Sequence, residues 1–234
     1  MTLIDLVPAT VVPAVALDLY RDIHKGIRAE LFALVGEAGA LDPTPGLDRA
    51  SLAGHVDDVI ELLVQHAEHE DGAIQPVLEA ELPELAERIA TDHLGLEGQL
   101  EDLRAMAAEA AGLDHPEPRL AVHRLYLALA CFTSRYLEHQ DVEERVVMPA
   151  LEQAIGVEAV AAIHGAIISS IPPDEMACSL AIMIPAMNVD DRAELLGGMQ
   201  AEAPPEVFAG VWSLVGSVLE PAAVTPLARR LGLG

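Results

Sequence analysis

The sequence predicts an all-α protein, an up-down-up-down four-helix bundle with additional C-terminal helices. Three observations predict this fold class. Apolar residues make up 52% of the 234 residues and aromatic residues only 3%, with Ala, Leu, Val and Glu as the bulk, a mixture that favours helices over sheet. Strand signals are nearly absent, since the chain has no Asn-Gly hairpin and no sustained period-two alternation. Finally, four long helical segments are joined by short loops rich in Pro and Gly.

Each bundle helix has its own start or stop signal. Gly36 and Gly39 are predicted to end the first helix, and Asp48 is a good N-cap for the second. Pro76 is expected to disturb the last turns of the second helix, whereas Pro83 suits the first position of the third. The four helices are predicted at about residues 15–37, 48–78, 83–112 and 119–154.

Two domains are expected, the bundle in residues 1–155 and a C-terminal helical extension in residues 156–234. The extension consists of shorter helical pieces separated by prolines, and its ionisable residues show no arrangement that would suggest a second catalytic domain. We expect it to pack on the bundle or to make a homodimer. Its most apolar run, Met176–Met187, is too short to span a bilayer and contains Pro185, so it is predicted to be a buried core helix.

The formal net charge of −25 argues against binding to nucleic acid and to anionic membrane surfaces, because both are bound by clustered Lys and Arg. The two cysteines, Cys131 and Cys178, form neither a disulfide framework nor a metal or redox spacing. A cytoplasmic location is therefore expected. The first fourteen residues lack a basic segment and contain Pro8 and Pro13, so they do not resemble a signal peptide.

An internal repeat relates the second and fourth helices. QHAEHEDGAIQPVLE (65–79) aligns without a gap with EHQDVEERVVMPALE (138–152). The alignment pairs the histidines, the glutamates four residues later and the prolines that follow: His66 with His139, Glu70 with Glu143, and Pro76 with Pro149. A weaker repeat relates DIHKGIRAEL (22–31) to TDHLGLEGQL (91–100) and pairs His24 with His93.

The spacing of this repeat suits a metal site. A His and a carboxylate four residues later are separated by about 40° around a helix, so both side chains can meet an ion lying against that face. Imidazole nitrogen suits iron and zinc, and carboxylate oxygen can bridge two harder ions. Two such pairs on facing helices, with single histidines from the other two helices, can assemble a bimetallic site in the bundle core.

The order His24, His66-x-x-x-Glu70, His93, His139-x-x-x-Glu143 resembles the hemerythrin HHE cation-binding family, and "DIHKGIR" and "EHQDVEERVVMPAL" are typical of its bacterial members. The resemblance covers about residues 15–155. It implies two iron ions bridged by Glu70, Glu143 and an oxo or hydroxo group and capped by the four histidines. It also implies a small-molecule ligand such as O2, hydrogen peroxide or nitric oxide. The rival ferritin-like bundle uses Glu-x-x-His, which none of the nine histidines completes.

One position departs from the oxygen-carrying members, which have a second histidine one turn after the third-helix histidine. Here Glu97 stands there, so Glu97 is a candidate ligand. An anionic oxygen ligand would stabilise ferric iron, which disfavours reversible O2 carriage and favours reaction with peroxide, nitric oxide or O2. Catalase-like peroxide decomposition is one expectation; iron storage, iron or oxygen sensing without turnover, and a purely structural bundle are the alternatives.

Further polar residues surround the predicted ligands. Tyr136 precedes His139 by one turn, so it either donates a hydrogen bond to a bound ligand or packs at the bundle edge. His69 is expected beside the ligands, and His55 either lines an access route or is an ordinary histidine at the bundle end. Asp71 and Glu144 either orient ligand histidines or are surface charges, with surface charge favoured.

Overall fold

The computed structural model describes residues 14–112 and 117–233, and those residues contain helices but no strand. The signal-peptide prediction for residues 1–14 falls almost wholly outside them, as do residues 113–116 of the loop before the fourth helix. The helices of the predicted bundle region are α1 (Arg21–Ala40), α2 (Gly46–Ala73), α3 (Gln75–Glu81), α4 (Pro83–Ala111), α5 (Pro118–Val142), a π-helical segment (Glu143–Val147) and α6 (Met148–Ile155). They are followed by α7 (Val157–Ser170), α8 (Pro173–Ala186), α9 (Val189–Glu202), α10 (Pro205–Val218) and α11 (Pro221–Arg230).

The all-helical fold class is confirmed, and the differences in helix bounds have local causes. α1 does not stop at Gly36 but continues to Ala40. The face that contains Leu34 and Ala38 is buried, and this burial outweighs the roughly 1 kcal/mol that each glycine costs a helix. Pro83 does begin α4, as predicted.

In both repeat copies the regular α-helix is interrupted just before the proline. In the first copy, α2 ends at Ala73 and α3 begins at Gln75, next to Pro76. In the second copy, the π-helical segment Glu143–Val147 ends two residues before Pro149, and the Met148 N–H donates to the Glu143 carbonyl five residues earlier. A proline lacks the N–H that the carbonyl four residues earlier would accept, so a regular α-helix cannot continue through it unchanged.

Four helices enclose an apolar core in the bundle. α1, α2, α4 and α5 all contribute to one contiguous set of side chains: Leu31, Leu34, Val56, Val59, Ile60, Leu63, Leu100, Leu103, Leu129 and Phe132. All ten of these side chains are almost fully buried. Burying an aliphatic side chain of this size contributes roughly 1.5–3 kcal/mol, so this core is the main reason why the four helices associate.

A buried arginine closes the end of the bundle that is formed by the start of α2. Arg49 is 2% exposed, and its guanidinium donates hydrogen bonds to four backbone carbonyls. Nε donates to Ala110 O at 2.8 Å and Nη2 to Gly112 O at 2.7 Å, both at the end of α4. Nη1 donates to Pro43 O at 2.6 Å and Thr44 O at 3.1 Å, in the loop between α1 and α2. These bonds satisfy carbonyls that a helix end and a loop leave without helical partners.

The chain divides into two compact units, and the first includes more than the predicted bundle region. Of the described residues it comprises 14–20, 30–112 and 117–170, and it therefore contains α7. The boundary predicted from the sequence is at residue 155. α7 joins the first unit because Val160 is fully buried in a cluster with Leu151 and Met148 of α6, and Ile163 and Ile167 pack against that cluster.

The second unit comprises the described residues 21–29 and 171–233. Its own apolar cluster is centred on buried Leu180 and Ile184 of α8, Leu196 of α9, Val215 of α10 and Leu227 of α11. The segment Met176–Met187 lies almost entirely in α8, in agreement with the predicted core helix. Dimerisation through the C-terminal helices stays a prediction.

No single helix among the described residues is long and apolar enough to cross a bilayer. One pair, Pro118–Ile155 with Val157–Ser170, satisfies length and composition only when its two arms, bent by 116°, are counted together.

Candidate metal centre

Two His–Glu pairs lie on neighbouring parts of the bundle and have the same geometry. His66 and Glu70 occupy the last turns of α2, and His66 Nε2 lies 3.1 Å from Glu70 Oε1. His139 is in the last turn of α5 and Glu143 begins the π-helical segment, with His139 Nε2 3.1 Å from Glu143 Oε1. The i, i+4 spacing thus places each imidazole directly beside its carboxylate.

The third histidine, His93 of α4, lies between the two glutamates. Its Nε2 is 3.4 Å from Glu70 Oε2 and 3.9 Å from Glu143 Oε1. The ring of His93 meets that of His139 edge-on, with centroids 4.9 Å apart. As a result, one ligand atom from each of Glu70, His93, His139 and Glu143 lies within 4.8 Å of the other three.

A second set of ligand atoms contains the same two carboxylates. One atom from each of His66, Glu70 and Glu143 also lies within 4.8 Å of the other two. Both glutamates are therefore common to two groups of potential ligands. His24 is fully buried on α1, within the stretch 21–29 that belongs to the second unit, and its role as a ligand stays a prediction from the sequence.

The two carboxylates are almost completely removed from water, because Glu70 is 6% exposed and Glu143 is 1% exposed. Burial and the neighbouring Glu70 raise the pKa of Glu143, but His139 and His93 lower it, and the net shift is below the ordinary value. Burial lowers the pKa of His93, yet its contacts with Glu143, Glu70 and Asp71 raise it to about 11. In the same way the pKa of His139 rises to about 9. Positive charge is thus strongly favoured at this position.

The donor set fits a metal cation for two reasons: the ligand types suit a metal, and a cation would satisfy a buried nitrogen that has no hydrogen-bond partner among the described residues. Nε2 of His93 is buried without a hydrogen-bond partner in the described part of the chain, although both glutamates lie near it. A cation at this place would neutralise the buried carboxylates and occupy that nitrogen, while the protons on the histidines would be released. Mixed imidazole and carboxylate ligands suit first-row transition metals such as iron.

Comparison with known protein families identifies the domain that carries these residues. The hemerythrin HHE cation binding domain matches residues 15–151, more than half of the chain and all of the candidate ligands. The chain belongs to this hemerythrin family. Neither the comparison with curated proteins nor that with solved structures gives a match. The family match ends before α7, so the second unit's helices α8–α11 have no counterpart in it.

The hemerythrin domain places carboxylates behind two of the candidate ligand histidines. Asp71, which the sequence analysis favoured as a surface charge, lies with Oδ1 2.9 Å from Nδ1 of His93. Asp92 was not singled out from the sequence, yet its Oδ2 lies 3.9 Å from Nδ1 of His139. In the sequence, Asp71 adjoins Glu70 and Asp92 adjoins His93. This position next to a predicted ligand is the feature by which the sequence could have identified both aspartates.

A second residue that the sequence analysis missed is Tyr20. It is 2% exposed and lines a small recess next to the carboxylates, whose walls are Tyr20, Glu70, Asp71, Ile74, Gln75, Leu78, Ile89, His93 and Glu143. Burial, and then the charges of Glu143 and Glu70, raise the pKa of Tyr20 well above its ordinary value. Its hydroxyl therefore stays protonated at neutral pH.

Tyr136 is also buried, and burial together with Glu70 and Glu143 raises its pKa in the same direction. Its ring lies edge-on to that of His139, with centroids 5.9 Å apart, and 5.7 Å from that of Phe132. Tyr136 therefore combines a packing contact with a protonated hydroxyl close to the centre.

Three predicted residues lie outside both groups of ligand atoms among the described residues. Glu97 is exposed, because His93 already lies at the edge of the buried face of α4 and Glu97 is about 40° further around the helix. His55 contacts Glu37 (Nδ1–Oε2 2.6 Å) and Glu30 (Nε2–Oε2 3.4 Å) of α1, which gives it a structural role. Nδ1 of His69 lies 3.4 Å from the Ser170 hydroxyl.

Proposed function

We propose that this hemerythrin-family chain holds two iron ions and reacts with small oxidants, namely hydrogen peroxide, O2 or nitric oxide, in defence against oxidative or nitrosative stress. The observation that carries the proposal is the pair of buried carboxylates, Glu70 and Glu143, shared by two groups of potential ligand atoms. A mononuclear site has no need of two such bridging carboxylates. Iron is the metal that best combines these oxygen and imidazole donors with redox chemistry.

The residues at the site would have two roles, metal binding and hydrogen bonding to the reacting molecule. Glu70 and Glu143 would be shared by the two groups of ligands, which His66 completes on one side and His93 and His139 on the other. When bound, the iron ions would supply exchange of electrons with the oxidant. Tyr20 and Tyr136 stay protonated beside the carboxylates, so each can donate a hydrogen bond or keep a proton close to the reacting molecule.

The recess beside the carboxylates defines what can enter. Ile74, Leu78 and Ile89 form its apolar part, and polar side chains including Tyr20 and Gln75 form the rest. A recess this small admits only small molecules, and the two buried carboxylates beside it disfavour anionic metabolites. This supports a diatomic gas or peroxide as the reacting partner.

Metal content with the optical spectrum is the first test. We expect about two iron atoms per chain and near-ultraviolet charge-transfer bands, both lost in Glu143→Ala. Glu97→Ala is the matched control, because Glu97 is an exposed carboxylate on the same bundle and is expected to leave iron content unchanged. One iron per chain, or full retention of iron in Glu143→Ala, would contradict the shared-carboxylate arrangement.

Reactivity is the second test. Oxygen evolution after addition of hydrogen peroxide, absent from the iron-free protein, would support catalase-like turnover. Anaerobic reduction followed by exposure to air separates reaction from transport, because a stable, reversible oxygen adduct would contradict the proposal. Iron loading far above two per chain would indicate storage instead.

A further inference from the structure

Two aspartates lie behind the candidate ligand histidines in a regular pattern. Asp71 of α2 reaches His93 of α4, with 2.9 Å between Oδ1 and Nδ1. Asp92 of α4 lies near His139 of α5, with 3.9 Å between Oδ2 and Nδ1. Each aspartate adjoins a ligand on its own helix and faces the ligand histidine of the next helix.

The two nitrogens of each ring have different tasks in this arrangement. Nε2 of His93 and Nε2 of His139 face the carboxylates, and Nδ1 of each ring points away from them toward its aspartate. An aspartate that accepts a hydrogen bond from Nδ1 fixes both the tautomer and the rotation of the ring. It also makes Nε2 a stronger donor toward a metal.

The His139 side of the pattern contains an unsatisfied group. His139 is 5% exposed, and Nδ1 is buried without a hydrogen-bond partner in the part of the chain that the structure describes. Leaving such a group unpaired costs about 1–3 kcal/mol. Asp92 is the carboxylate placed to satisfy it, because its Oδ2 requires a shift of about 1 Å to reach hydrogen-bond distance.

We propose that Asp71 and Asp92 are positioning residues that hold His93 and His139 with Nε2 toward the carboxylate pair. The inference rests on the proposed metal function and adds which side chains set the orientation of the histidine ligands. The competing explanation is local surface pairing. Asp71 is half exposed, with 52% of its side chain accessible, and Asp92 also lies 3.8 Å from Arg88 Nε.

The exposed location of Asp71 makes it a suitable test position, because its replacement leaves the apolar core untouched. Asp71→Asn keeps an oxygen acceptor but removes the charge, and Asp71→Leu removes both. Glu68→Gln, an exposed carboxylate three residues away on α2, controls for the loss of one charge near the site. For Asp92, the corresponding pair is Asp92→Asn and Asp102→Asn, the latter exposed on the same helix.

The first measurement uses iron-loaded protein and an excess of chelator, with iron release followed by the loss of the charge-transfer band. Carboxylates that orient metal-bound histidines typically change metal affinity about 10–100-fold. We expect Asp71→Leu to release iron at least tenfold faster than the unmodified protein, and Asp71→Asn to lie between the two. Asp92→Asn is expected to accelerate release as well, and Glu68→Gln and Asp102→Asn to match the unmodified protein. Release from Asp71→Leu at the rate of Glu68→Gln would overturn the proposal.

The second measurement uses metal-free protein, so it decides the proposal even if the chain holds no iron. The Nδ1–H signal of His93 in imidazole NMR spectra should be observable and slow to exchange in the unmodified protein and in Glu68→Gln. It should broaden or shift in Asp71→Leu, with an unchanged far-ultraviolet circular dichroism spectrum. An unaffected His93 signal would refute the positioning role, whereas absence of iron with the expected signal change would refute only the proposed function.

Discussion

Arg49 offers the sharpest test of how the bundle end is held together. Its guanidinium donates four hydrogen bonds to carbonyls at the end of α4 and in the loop between α1 and α2. A hydrogen bond from a charged donor contributes about 1.5 kcal/mol at the lower end of the measured range, so the four bonds contribute about 6 kcal/mol. Burial of the methionine side chain that replaces it contributes up to about 3 kcal/mol in return. We expect Arg49→Met, which keeps most of the side-chain volume, to lower the free energy of unfolding by about 3 kcal/mol.

The assay is urea unfolding of the metal-free protein, followed by circular dichroism at 222 nm. Arg104→Ala is the matched control, because Arg104 is 53% exposed and its Nε lies 3.1 Å from Asp57. An exposed ion pair contributes about 0–1 kcal/mol, so this variant should unfold close to the unmodified protein. If Arg49→Met loses less than about 1 kcal/mol, or no more than Arg104→Ala, the four-carbonyl contact does not stabilise the bundle as reasoned.

Three further predictions concern the core, the pH dependence and the hydroxyl beside the centre. Leu129→Ala should lower the free energy of unfolding by about 3 kcal/mol, because Leu129 is 1% exposed. Leu127 is 53% exposed on the same helix, so Leu127→Ala should change the free energy of unfolding little. Equal urea midpoints for the two variants would contradict this prediction. Burial lowers the pKa of His55, but its contacts with Glu37 and Glu30 raise this pKa above the ordinary value overall. The contacts of protonated His55 therefore stabilise the fold below about pH 6.5, and this stabilisation is lost as the pH rises through the folded-state pKa. His55→Gln should therefore be destabilised at about pH 6 and equal to the unmodified protein at about pH 9, and a difference that grows with pH would have the wrong sign. Tyr136→Phe should keep two irons per chain but shift the spectrum of the azide-treated protein, and an unshifted spectrum would leave Tyr136 a packing residue only.

The helical fold class was predictable from the sequence because helix-favouring composition, the absence of strand signals and Pro/Gly punctuation are strong local signals. The break near Pro76 was also foreseen, since a proline has a defined effect on the preceding turn. The π-helical segment Glu143–Val147 was not, because a single extra residue in one turn hardly changes a 3.6-residue pattern. The second copy was therefore predicted as one uninterrupted helix.

The candidate site was predictable only to the extent that ligands share a short repeat. The i, i+4 spacing correctly anticipated that each histidine lies beside its glutamate, because that contact forms within one helix. Glu97 was a candidate because it stands where the oxygen-carrying members have a second histidine, but the rotation of α4 against its neighbours leaves this side chain exposed, and helix rotation is a tertiary property. Tyr20 and Asp92 were missed for the same reason, since the proximity of Tyr20 to the carboxylates and of Asp92 to His139 depends on packing between elements.

The π-helical segment has a consequence for changes of chain length. A turn that closes five residues back holds one residue more than an α-helical turn, and the Glu143 carbonyl that accepts from Met148 marks the place of that residue. Removing one residue there would let the backbone close as an ordinary α-helix, without displacing His139 before it or Leu151 after it. The same removal inside α5 would turn every later side chain by about 100°. This segment is thus the point on the helix where an insertion or deletion is absorbed locally, so homologues that differ in length by one residue are expected to differ here.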